Sequence, residues 1–166
     1  MKTSLKKLLP LLLLLTLPTV VEAQWGYTTN NGAITITGYT GPGGAVTIPD
    51  TIDGLPVTSI AGYAFLNCFS LTSVMIPDGV SDIGTLAFNG CIHLISATVP
   101  SSVTNLAYFA FGNCTRLTGV YFQGNAPALD SEVFTSDIYA TVYYFPGTTG
   151  WDATFGGRPA VLLPFT

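Results

Sequence analysis

Apolar and polar positions recur every 23 residues through the middle of the chain. Units beginning at Val57, Val80 and Val103 align Ile60, Ile83 and Leu106, then Ala64-Phe65, Ala87-Phe88 and Ala110-Phe111. Cys68, Cys91 and Cys114 follow, then Leu71, Leu94 and Leu117, so the full units are 57–79, 80–102 and 103–125. Two periods alternate inside a unit. Leu71-x-x-Val74-x-Ile76 alternates and predicts a short strand with Val74 and Ile76 facing inward. Ile60, Ala64, Phe65, Cys68 and Leu71 are spaced by four, one, three and three, which predicts a short helical turn packed on the same core. Pro77 and Pro100 lack an N–H and end the strand. A unit with one apolar side cannot bury it alone, so the copies stack: short parallel β-strands on one face of a solenoid, short helical turns on the other.

The period extends past the three full copies. Val46-Thr47-Ile48-Pro49 repeats Val74-Met75-Ile76-Pro77, with surplus residues in the Asp50 to Pro56 turn. After Asn125, Leu129 matches Leu106, Phe134 matches Phe111 and Phe145-Pro146 matches Ile76-Pro77, while Asp137 takes the cysteine slot and Ala140 the leucine slot. Repeats therefore occupy 45–146, about 4–5 coils. Ahead of them, Asn31-Gly32 between strand-forming runs predicts a β-hairpin, making 24–44 an N-terminal cap whose Trp25, Tyr27, Ile34 and Ile36 cover the first coil. Residues 147–166 break the period and are expected to form the C-terminal cap, with Trp151 and Phe155 as its lid. Residues 1–23 read differently again: Lys2, Lys6 and Lys7, an apolar run from Leu8 to Leu17, then Val21-Glu22-Ala23 describe a secretory signal peptide cut after Ala23.

Charge narrows the partners. Loss of 1–23 removes all three lysines and Glu22, leaving Arg116 and Arg158 against eight carboxylates, a net charge of −6. So few cations provide no phosphate-neutralising patch, which argues against nucleic acid, and no remaining apolar run is long enough for membrane insertion. Three cysteines in equivalent slots stack above one another, and the expected arrangement is a buried structural ladder of thiols at Cys68, Cys91 and Cys114. The alternative is one disulfide between neighbours with the third thiol free.

The unit Val-Thr-Ser-Ile-x-x-x-Ala-Phe-x-x-Cys-x-x-Leu-Thr-Ser-Val-x-Ile-Pro at Val57 to Pro77, preceded by Ile48-Pro49-Asp50-Thr51-Ile52-Asp53-Gly54-Leu55-Pro56, closely resembles the BspA-like leucine-rich repeat. The resemblance covers roughly residues 44 to 146. It implies a right-handed leucine-rich-repeat solenoid in an exported or cell-surface protein, a class that includes adhesins, and it carries no catalytic motif and no cofactor. Gln123 departs from the pattern by standing where the first two units have proline.

Any specificity must lie where the copies differ and point outward. The outward columns are expected to read Ala45, Ser73, Ser96, Gly119, Val142 and Thr47, Met75, Thr98, Tyr121, Tyr144. Tyrosine offers a large contact area with a polar tip, so Met75, Thr98, Tyr121 and Tyr144 are the candidate ligand contacts for a protein or glycan. Asp50 and Asp78 follow equivalent prolines with Asp53 nearby, a weak candidate for Ca²⁺, though aspartate after proline is ordinary turn chemistry. The same Asp50 and Asp78 are a remote candidate pair for a small glycoside hydrolase. His93, the single histidine, falls in a solvated slot, and no zinc site or Ser-His triad assembles around it. Asn113-Cys114-Thr115 fits a glycosylation sequon whose central residue is expected to be buried. The sequence thus points to a secreted or surface-bound, non-enzymatic, monomeric binding module without cofactors, the alternative being a structural or self-associating repeat.

Overall fold

The computed structural model describes residues 24–130 and 132–164, so the expected export signal at 1–23 lies outside the described residues. Each coil contributes one strand to each of two sheets that sandwich a single core. The first sheet opens with β1 (Trp25–Asn30) and β2 (Ala33–Tyr39), an antiparallel hairpin turning at Asn31-Gly32, where φ is 49° and 76°. Parallel strands β5 (Leu55–Ile60), β7 (Asp82–Ile83), β9 (Asn105–Leu106) and β11 (Ala128–Leu129) continue it. The second sheet stacks β3 (Gly44–Thr47), β6 (Leu71–Met75), β8 (Ser96–Val99), β10 (Gly119–Phe122), β12 (Thr141–Tyr144) and β14 (Arg158–Leu162), all parallel, with the short β13 (Thr154–Phe155) antiparallel on its β14 edge. The surplus residues after Pro49 form a small antiparallel ribbon, β4 (Thr51–Ile52) with the start of β5, turning at Asp53-Gly54.

The expected helical turns are absent: among the described residues no α-helix forms, and the side opposite the long strands carries the first sheet followed by tight turns. The hydrogen bonds give the reason. The N–H groups of Ala87, Asn89 and Cys91 bond three residues back, to Gly84, Leu86 and Phe88, whereas those of Leu86, Phe88 and Gly90 bond forward to Tyr108, Ala110 and Gly112 of the next coil. A helix needs every N–H for its own ladder. Here alternate groups are spent between coils, and left-handed residues such as Leu86 (φ 56°) and Gly90 (φ 73°) break the succession.

Phenylalanine forms the centre of the core. Phe65, Phe88, Phe111 and Phe134 are stacked at 4.7, 5.1 and 5.8 Å, and each is buried. Both ends of this column are covered. At the N-terminal end Trp25 meets Phe65 edge-on at 6.1 Å and Tyr39 stacks on it at 5.3 Å. At the C-terminal end the backbone of Gly156 (φ 57°) lies against the Phe134 ring, so close that a Cβ would sit 2.7 Å from Cδ2. Beside it Trp151 and Phe155 pack on Phe122 at 5.1 and 5.5 Å.

The last coil departs from the expected register by one residue. Leu129 still pairs with Leu106, and Phe134 still stacks on Phe111. Thr141, however, pairs with Gly119, Val142 with Val120 and Tyr143 with Tyr121, because a residue is missing at the corner after Ala140. Val142, expected outward, is therefore buried. Chain 147–164 also adds a rung that the period did not predict: Ala160, Val161 and Leu162 of β14 pair in parallel with Val142, Tyr143 and Tyr144. Among the described residues no helix is long and apolar enough to cross a membrane.

Candidate functional site

In the second sheet Val46, Val74, Ala97, Val120 and Val142 point into the core, so the residues on either side of each point out. One outward column reads Ala45, Ser73, Ser96, Gly119, Thr141, and the other Thr47, Met75, Thr98, Tyr121, Tyr143. Three of the four expected contact residues, Met75, Thr98 and Tyr121, stand side by side in this second column. The fourth is corrected: the lost corner residue places Tyr143 there, and Tyr144 pairs with Phe122 and stacks on Trp151 at 5.0 Å as part of the cap.

Tyr121 and Tyr143 are 5.0 Å apart with planes 13° from parallel, a face-to-face pair. That separation matches the spacing between strands, so the stack runs along the coil axis and the free face of Tyr121 turns toward β8. The ring also leans back over Gly119: a Cβ there would lie 2.8 Å from Tyr121 Cε2 and 2.9 Å from its Oη. On the β8 side a groove of about 280 Å³ is lined by Ala45, Thr47, Ser73, Met75, Ser96 and Thr98, with Val46 and Val74 beneath. A second groove of about 210 Å³ continues from Thr47, Met75 and Thr98 to Asp50, Asp78 and Gln123 at the strand ends. Asp50 and Asp78 are thus brought together on one rim. Asp53 is not with them, since it accepts a 2.5 Å hydrogen bond from Tyr27 Oη and ties the ribbon to the N-terminal hairpin. Among the described residues no three metal-binding side chains cluster.

The cysteines lie elsewhere, behind the turns. All three are free thiols; Cys91 and Cys114 are buried and Cys68 is half-buried. Cys91 Sγ donates to the Phe65 carbonyl at 3.2 Å and Cys114 Sγ to the Phe88 carbonyl at 3.1 Å, each reaching back one coil. Burial, with Cys91 beside it, pushes the Cys68 thiol up to about 11. The Cys114 thiol is raised above its usual range by its hydrogen bond with the Cys91 thiol and by burial. In the next rung of this ladder sits Asp137, fully buried, with no hydrogen-bond partner for either carboxyl oxygen among the described residues. Burial pushes its carboxyl up to about 7, only partly opposed by the Cys114 backbone and the Arg158 guanidinium. Arg158 Nη1 donates to the Asp137 backbone carbonyl at 3.3 Å. Its role was missed in the sequence, where the only signal was the break in the cysteine column.

His93 is exposed, and its Nδ1 is 2.6 Å from the Phe69 carbonyl, which fixes the proton on that nitrogen. Cys114 of the sequon is buried, and Asn113 adopts φ 59° in the tight turn.

Comparison with known proteins matches residues 45–149 to the BspA type leucine rich repeat region, in six copies. Among solved structures, a leucine-rich repeat protein of T. pallidum is 26% identical, covering 85% of this chain and 79% of that one with a TM-score of 0.64. A leucine-rich cell surface protein of Faecalibacterium prausnitzii is 33% identical over 77% of this chain, but only 37% of that one, with a TM-score of 0.61. A leucine-rich repeat protein of Bacteroides capillosus is 25% identical over 73% of this chain and 94% of that one, also at 0.61. No curated protein matches the chain.

Proposed function

Because the chain belongs to the BspA-type leucine-rich repeat family, we propose that it is a non-catalytic binding module, displayed at or beyond the cell surface, that holds a protein or glycan on the outward face of its second sheet. The observation that carries this reading is the division of labour within each coil. Interior positions repeat nearly unchanged, Ile60/Ile83/Leu106 and Phe65/Phe88/Phe111 among them, and they build the stack. Outward positions of the second sheet change from coil to coil, Thr47, Met75, Thr98, Tyr121, Tyr143, and nothing in the fold requires those identities. The cell-surface relative and the signal-like residues 1–23 support export.

The test is a capture experiment with the mature chain on a support, using extracts of neighbouring cells and their surface material. The double variant Met75→Arg/Thr98→Arg is run beside Thr115→Arg, a change at an exposed turn position away from the sheet face. A partner held by wild type and by Thr115→Arg but released by the double variant supports the reading. Capture that is indifferent to the double variant sinks it. N-terminal sequencing of exported protein starting at Gln24 would support the cleavage, and retention of residues 1–23 on exported protein would refute it.

A further inference from the structure

We infer that the ligand of this face is a neutral polysaccharide, laid across the coils with one sugar ring against the free face of Tyr121; this rests on the sheet-face binding reading above. Five observations converge. The lining mixes short hydroxyl side chains, Thr47, Ser73, Ser96 and Thr98, which donate and accept hydrogen bonds, with the apolar surface of Ala45, Val46, Val74 and Met75, a pairing of hydroxyl and C–H surface that suits a sugar ring. The rim supplies the carboxylates of Asp50 and Asp78 and the amide of Gln123, which are good partners for sugar hydroxyls.

Charge excludes the anionic class. Neither Arg116 nor Arg158 lines either groove, and two carboxylates do, so a sulfated or uronate chain would meet repulsion with no counter-charge. Shape favours an extended ligand. The two grooves, about 280 and 210 Å³, share Thr47, Met75 and Thr98 and so form one continuous track along the sheet face. An extended chain of sugar units suits such a track.

Gly119 adds an observation that a merely strand-forming tyrosine would not need. It interrupts a column of small side chains, Ser73, Ser96, Thr141, at the one place where the Tyr121 ring leans back. With any Cβ at that place the ring must lift away. The glycine therefore lets the ring lie over its own strand, one strand beyond Thr98, which lines both grooves, with its free face toward the C–H groups of a pyranose. Tyr143, stacked behind, holds the ring in that pose.

Affinity electrophoresis of the mature chain tests this, with gels containing hydroxyethylcellulose, yeast mannan or arabinoxylan as neutral probes and polygalacturonate or heparin as anionic ones. At least one neutral probe is expected to retard the wild type, with no retardation by the anionic pair. Tyr121→Ala should weaken that binding at least tenfold. Gly119→Ala, which removes no contacting group, should also weaken it several-fold, and Tyr121→Phe should retain most of it; thermal melts confirm that all three fold. Retardation by no neutral probe, stronger retardation by an anionic one, or neutral binding unchanged in Tyr121→Ala overturns the inference. A protein partner lost in Met75→Arg/Thr98→Arg, with no polysaccharide bound, would overturn the glycan assignment while leaving the sheet-face reading intact.

Discussion

Asp137 gives the fold a pH dependence that one substitution should remove. In the rungs before it a thiol donates to the phenylalanine carbonyl one coil back, Cys91 to Phe65 and Cys114 to Phe88. Asp137 takes the next slot with no hydrogen-bond partner for either carboxyl oxygen among the described residues, so the cost of burying its charge is left unrelieved and the neutral acid is favoured. Burial accordingly holds the Asp137 carboxyl at about 7 in the folded chain against its ordinary 3.8. Because the folded state binds this proton more tightly, the group's contribution is fully present below the unfolded value and is lost as pH rises through the folded one. The interval is about three pH units at about 1.4 kcal/mol each, so roughly 4 kcal/mol of stability disappears between about pH 4 and pH 7.

Asp137→Cys restores the ladder with a group that stays protonated over this range. Urea titrations of wild type and variant, followed by Trp25 and Trp151 fluorescence at unit steps from pH 4 to pH 8, isolate the effect, since every other ionisable group is common to both. The variant's advantage should grow by about 4 kcal/mol across that range and then level off. A difference between the two proteins that stays flat, or that shrinks as pH rises, would show that Asp137 is not held protonated by its burial.

Three further outcomes follow from the same geometry. Phe88→Ala opens a cavity in the middle of the stacked column, between Phe65 and Phe111, and should cost about 3–5 kcal/mol in chemical denaturation; a loss below 1 kcal/mol would contradict the column's role. Tyr63 is 59% exposed yet held at φ 65°, so Tyr63→Gly relieves about 1–2 kcal/mol of left-handed strain against the 0.5–1 kcal/mol entropy cost of glycine, and its melting temperature should rise. At pH 8 the folded protein should react with an aromatic disulfide reagent far more slowly than an exposed thiol would, since Cys91 and Cys114 are buried and the Cys68 thiol is pushed up to about 11. Denaturation without reductant should then release three reactive thiols; a single one would establish a disulfide.

The solenoid was legible because interior positions meet the same physical demand in every coil. Ile60, Phe65 and Leu71 each have a counterpart 23 residues on, and stacking carries that period directly into space. What apolar spacing could not show was how the backbone spends its hydrogen bonds. Ile60, Ala64, Phe65 and Cys68 fit a helical stripe as well as a series of tight turns, and the decision lies in alternate N–H groups crossing to the next coil. The residues in left-handed slots, Asn67, Gly90 and Asn113, were the one local sign of it.

The outward column of the second sheet was legible to within one residue. Met75, Thr98 and Tyr121 are read from the strand alternation alone. The missing corner residue between Ala140 and Thr141 left no apolar signature, and Tyr143 and Tyr144 are chemically identical, so the sequence offered no means of choosing between them. Strand β14 escaped because Ala160-Val161-Leu162 joins the sheet without the phenylalanine and leucine marks that identify a full coil. The position of the Tyr121 ring depends on Gly119, whose importance appears only once that ring is seen leaning over it.

The alternating bonds between coils also set how the molecule responds to force. Successive coils are joined by hydrogen bonds lying along the stacking axis, as between Phe88 and Ala110 or Phe111 and Val133. A pull on the two ends would therefore load one coil boundary at a time and peel coils off singly. Each 23-residue turn released would pay out about 80 Å of extended chain. A single molecule stretched between its ends should yield in a staircase of such steps at low tension, so that a chain anchored at one end and bound at the other would lengthen under load before its grip failed.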